Sequence, residues 1–156
     1  KLYKKKKKIF KKLKKILPKY INSFPINKNE ITNAILSNKK NLKKIIRVIH
    51  LEVRNKLNIF LNKNQNKKII ILDIPLLLEN KINNKNDILI FVEANKSNTI
   101  KRLRKRKNFN QKLINMFKKI QLSLVYKKRI SQFVIENNFT KKSIKKDIKV
   151  ILSKIL

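Results

Sequence analysis

Three small groups of side chains in this sequence have the types and spacing to do chemistry. His50 and Arg54, in IIRVIHLEVR (residues 45–54), stand four apart, so on a helix they share one face, one turn from each other. Arg102 and Arg106, in IKRLRKR (100–106), repeat that spacing, and two guanidinium forks so placed could clamp phosphate oxygens. Asp73, in LDIPLLLEN (72–80), follows directly on the apolar run KIIIL. A carboxylate at the C-terminal end of a buried strand lies where open α/β sheets bind ligands. A fourth stretch, 121–137, closes on FVIEN, a strand run ending in polar residues.

Each group has an ordinary alternative. His50 has apolar neighbours on both sides and reads equally as a packing histidine, and Arg54 as a surface charge. Arg102 and Arg106 stand among many cations and could be a solvated face. Arginine in a chain that uses lysine almost everywhere is nevertheless informative, because a drifting sequence should have replaced a dispensable arginine. Asp73 is one of eight acids, and an unpaired carboxylate in a buried run is costly, which argues for a function. Glu79 reads as a local cap or pair.

The elements that must carry these groups follow from apolar spacing. Residues 1–17 predict an amphipathic helix with Leu2, Tyr3, Ile9, Phe10, Leu13, Ile16 and Leu17 on one face. The lysine block 4–8 resembles a basic arm but is read as a solvated helix face. Pro18 and Pro25 bracket a loop. Asn27 and Glu30 have capping-box spacing ahead of a short helix with Ile31, Ala34 and Ile35 inward. Helical spacing then continues from Leu42 to Leu61, so the first 62 residues carry no strand pattern. After a polar linker at 62–68, the runs 68–72 and 87–93 read as strands buried on both faces, and Phe133–Ile135 as a third. Helices are predicted over 97–107, 110–128 and 140–156. Strands alternating with helices argue for a parallel α/β sheet preceded by a helical segment.

Composition sets the limits. The 156 residues include 43 Lys and Arg against 8 Asp and Glu, for a formal charge of +35. With no Cys and one His, thiolate zinc, cysteine nucleophiles and multi-histidine metal sites are excluded. No Gly is present, so neither a GxGxxG nor a GxxxxGK[ST] phosphate loop lies within these residues. No apolar run approaches the length of a membrane span. The 37 Lys, 26 Ile and 22 Asn make up more than half the chain, and these are residues of AT-rich codons. Coding bias therefore accounts for the charge ahead of selected nucleic-acid binding, which would favour Arg over Lys.

In order and spacing, the four signals resemble the dephospho-coenzyme A kinase family, P-loop kinases of the nucleotide-kinase type. Its members carry an IIHP-V-like helical segment, then DIPLLFE, a strand, an R-x-x-x-R helix, a lid with a Gln near its end, and a closing ADFVI-N-N-G. The resemblance covers nearly the whole chain, most specifically 69–138. Leu51 stands where the family has Pro, Ser131–Gln132 where it has Ala-Asp, and Phe139 where it has its last Gly.

The resemblance implies a P-loop kinase-like parallel sheet with helices on both faces, incomplete at the N-terminus, plus a helical acceptor-binding subdomain. It divides the chain into a helical acceptor region at 1–64 and an α/β core at 65–156, with a lid at about 107–128. It implies ATP and Mg²⁺ as cofactors, dephospho-coenzyme A as substrate, a cytoplasmic location, and neither a specific nucleic-acid partner nor a membrane. His50 and Arg54 would shape the acceptor side, and Asp73 would lie near the acceptor or the hydrated Mg²⁺. Arg102 and Arg106 would meet the transferred phosphoryl group and ATP, Lys127 matches the lid's trailing basic position, and Asn137 the segment beside the adenine. Residue 1 is Lys rather than Met, and the expectation is a chain whose P-loop lies upstream, leaving an apolar sheet edge and a poorly soluble or self-associating fragment. The alternatives are a basic nucleic-acid-binding protein and a non-catalytic kinase remnant.

Overall fold

Lysines around most of its circumference and an apolar stripe on the rest make α1 (Lys7–Ile16) an amphipathic helix, with Ile9 and Leu13 fully buried. The computed structural model of the chain describes residues 6–156. Leu2, Tyr3 and the first lysines of the basic block lie outside the described residues. The helices α2 (Lys28–Ser37) and α3 (Lys39–Lys63) follow where the spacing placed them. The predicted capping box forms. Asn27 Oδ1 accepts from Asn29 N–H at 2.9 Å, and Asn27 N–H donates to Glu30 Oε2 at 3.3 Å. Asn38 alone separates α2 from α3 and caps the second, accepting from Lys40 N–H at 2.8 Å. Buried Asn41 ties the two together by donating from Nδ2 to the Ala34 carbonyl at 2.9 Å. Lys6 pairs with Glu52, joining the start of α1 to α3.

These helices belong to one of two compact units, which runs to Pro75 and takes in Lys112–Lys119. Of the twelve buried apolar side chains among the described residues it holds nine: Ile9, Leu13, Leu17, Ile21, Ile26, Ala34, Ile35, Leu42 and Ile45. Most of the buried apolar side chains among the described residues therefore lie in these helices and the loop between the first two.

The predicted strand at 68–72 does not form. The segment has no regular secondary structure and no strand neighbour among the described residues, and Ile71 is 85% exposed. A strand exists only as a member of a ladder, so an apolar β-branched run with no hydrogen-bonding partner remains a loop.

The other unit is Leu76–Gln111 with Ile120–Leu156. Its sheet has two parallel strands, β1 (Ile90–Ala94) and β2 (Phe133–Asn137), in register from Ile90 opposite Phe133 to Ala94 opposite Asn137. Gln132 starts the ladder. Its side-chain oxygen accepts from Leu89 N–H at 2.7 Å, and its own N–H donates to the Leu89 carbonyl at 3.0 Å. The run at 87–93 is not buried on both faces, since Ile90 and Val92 are 43% and 54% exposed. Among the described residues the sheet has two strands rather than three, and β1 pairs with β2 alone. The helix α7 (Lys141–Ile155) packs on β2. Asp147 accepts from Glu136 N–H at 3.0 Å, and Ile135 and Ile151 are buried.

Two helix boundaries also differ from expectation. The helix α4 (Lys96–Arg104) stops short of Arg106, because Leu103 is its last apolar residue at helical spacing. The span 110–128 is not one helix but two, α5 (Gln111–Lys118) and α6 (Leu124–Arg129). Ser123 starts the second by accepting from Tyr126 N–H at 3.1 Å. Leu122 N–H leaves the helical pattern to donate to Glu79 at 3.0 Å.

Without glycine, the chain places other residues in left-handed backbone. Leu76, Lys81 and Phe139 have φ of 58°, 49° and 66°. The first two bound the turns that follow Pro75, where the Asn80 side chain donates to the Leu76 carbonyl at 2.8 Å.

Candidate functional site

The helical unit carries three of the predicted site residues. His50 and Arg54 lie one turn apart on α3, as their spacing required. His50 is half-buried, and its Nδ1 is buried with no hydrogen-bond partner among the described residues. Burial first, and then the neighbouring Arg54 charge, push the imidazole below its ordinary range. His50 is therefore neutral at pH 7 and offers one donor and one acceptor. Asp73 is exposed in the irregular segment before Pro75 and has no ion-pair partner among the described residues. It is thus not at the end of a buried strand, for the reason that leaves 68–72 unpaired.

The second unit carries the others. Arg102 projects from α4, and its guanidinium carbon lies over the Phe139 ring, 4.5 Å from the centroid. Phe139 N–H in turn donates to Asn137 Oδ1 at 2.8 Å. Asn138 Oδ1 accepts from Thr140 N–H, Thr140 Oγ1 and Ser143 Oγ at 2.7–2.9 Å. The loop after β2 therefore brings Arg102 and Asn137 into one neighbourhood. Arg106 is in the turn beyond α4, its N–H donating to the Leu103 carbonyl at 3.1 Å, so the two arginines do not share a helix.

Lys127 pairs with Glu79 at 2.6 Å, with both side chains largely buried. Burial is the strongest influence on Glu79 and raises its pKa. The Lys127 bond, backbone N–H groups including that of Leu122, and the Lys127 charge together outweigh it and hold the carboxyl below the ordinary carboxylate range. Glu79 is thus a paired carboxylate, but its partners lie more than 40 residues along the chain rather than in its own turn. Lys128 is matched by Glu93 at 2.7 Å.

At the C-terminal end of β1 an open depression of about 530 Å³ is lined by Asn95, Lys96, Ser97, Ile100, Lys101 and Arg104. Asn95 Oδ1 already accepts from the first amides of α4, those of Ser97 and Asn98. Among the described residues no three His, Asp or Glu side chains gather where they could hold a metal ion.

Reading by residue type passed over Phe139 as a contact. The available signal was its position, a bulky residue where a related pattern has glycine and where the backbone needs positive φ.

No curated protein matches the chain. The profile of the dephospho-CoA kinase family matches residues 1–143, a span that takes in every one of these side chains. On that match the chain belongs to the dephospho-CoA kinase family.

Proposed function

We propose that the protein serves the ATP-dependent phosphorylation of the ribose 3′-hydroxyl of dephospho-coenzyme A, the last step of coenzyme A synthesis. The family match over residues 1–143 is the observation that carries this reading. The helical region at 1–64 receives the acceptor, with His50 and Arg54 shaping that side. A neutral His50 can donate to or accept from an acceptor oxygen without adding charge. Asp73 stands near the acceptor or the hydrated metal. Within the 65–156 core, with its lid at about 107–128, Arg102 and Arg106 neutralise charge on the transferred group. Lys127 and Asn137 line the nucleotide side.

Bound ATP with Mg²⁺ supplies the phosphoryl group. The residues present fit only part of that ligand. Arg102 keeps a full charge for phosphate oxygens, but a chain with no glycine has no Gly-built cradle for the β- and γ-phosphates. The chemistry assigned to these residues is therefore positioning and charge neutralisation, the main contributions a protein makes to phosphoryl transfer.

The test compares the 156-residue chain with the full product of its open reading frame, each given Mg·ATP and dephospho-coenzyme A. Coenzyme A formed by the full product supports the assignment, and Arg102→Ala should then lower kcat/KM about 100-fold. A folded full product that makes none overturns it.

A further inference from the structure

Arg102 and Phe139 form a pair whose details are informative beyond the family match. Among the described residues Arg102 meets no carboxylate, whereas Lys127 and Lys128 are each matched by a glutamate. Its one described contact of this kind is the Phe139 ring, at 4.5 Å. A carboxylate would occupy N–H donors and cancel charge. An aromatic ring attracts the cation through its π electrons and leaves the donors and the charge available.

Phe139 holds this place against its own backbone preference. A φ of 66° is unfavourable for a bulky residue, and the conformation persists because neighbouring groups over-determine it. Asn137 Oδ1 takes the Phe139 N–H, and Asn138 Oδ1 gathers three donors from Thr140 and Ser143. With the loop braced, the ring stands half-exposed beneath the guanidinium, at 37% exposure.

We propose that Phe139 is a positioning residue that holds the Arg102 guanidinium, charged and with its donors free, for the phosphate oxygens of a nucleoside triphosphate. This rests on the reading that Arg102 meets those oxygens. The stacked arginine starts from few rotamers, so less entropy is lost when its fork closes on an anion.

Inorganic tripolyphosphate is the probe, titrated at about 0.3 M salt, which screens diffuse attraction to so basic a surface. Binding is followed by NMR at the Arg102 Nε–H and the backbone amides of Asn138 to Ser143. In the unaltered chain the Nε–H resonance should carry a ring-current shift, retained in Phe139→Tyr and lost in Phe139→Leu. Phe139→Leu should weaken tripolyphosphate binding about three- to tenfold, with Phe139→Tyr within twofold of the original. Phe139→Gly should raise Tm by relieving the backbone and still weaken binding, a split that a purely structural role for the ring would not produce.

If Arg102→Gln weakens binding and Phe139→Leu does not, Arg102 meets phosphate unaided and the Phe139 proposal fails alone. If Arg102→Gln leaves binding unchanged, the phosphate role of Arg102 fails and the proposal fails with it.

Discussion

Glu30 accepts four hydrogen bonds, from the N–H groups of Asn22, Ser23 and Asn27 and from the Ser23 hydroxyl, and so folds the loop at 22–27 onto the start of α2. Desolvation is the largest influence on its carboxyl and raises the pKa. The donors together prevail and hold it below the ordinary value of 4.5. A depressed carboxylate contributes stability that is complete above its unfolded pKa and is lost as pH falls through the folded one. Glu30→Gln should therefore cost about 1 kcal/mol at pH 7 and much less near pH 3, measured by urea unfolding at both. The Asn27–Glu30 spacing was legible in the sequence. The Asn22 and Ser23 donors were not, because a loop's return to a helix end leaves no periodic trace. The same limit hid the contact between Arg102 and Phe139, two residues 37 apart that only the fold brings together.

At the scale of elements, helices were the more readable class, since α1 to α3 and α7 bury faces set by their own spacing. Strands depended on company. DILIFVE and FVIEN found each other and became β1 and β2, while KIIIL, an equally apolar β-branched run, has no strand neighbour among the described residues. Asp73 lost its expected burial with it, although its identity as a candidate needed only the LDIPLLLEN segment. The break between α5 and α6 was missed because the stripe of Leu113, Phe117, Ile120 and Leu124 masks a serine whose hydroxyl can start a new helix. Removing that hydroxyl by Ser123→Ala should destabilise the unit by about 1 kcal/mol, read as a lower urea midpoint with an unchanged slope. An unchanged midpoint would show that Glu79, through Leu122 and Lys127, defines the start of α6 without it.

Over the whole molecule, charge and burial are distributed by different rules. Three ion pairs join described residues in a chain whose formal charge is +35, so most cations face solvent unmatched. Such a surface opposes compaction and makes apolar burial the main cohesive force. Among the described residues that burial is concentrated in α1, α2, the loop between them and the first half of α3, with Ile82, Ile135 and Ile151 the buried apolar side chains elsewhere. Amide protons report this imbalance as lifetimes. In deuterated solvent the amides of Leu13, Ile35 and Ile45 should outlast those of Val92 and Val134 by about 100-fold or more, because each opens only when the part of the fold around it does. Equal lifetimes in both regions would mean that the chain opens as a single cooperative body. A graded pattern would instead make the sheet and its arginine-bearing helix the first parts to sample open forms, while the three-helix core remains closed.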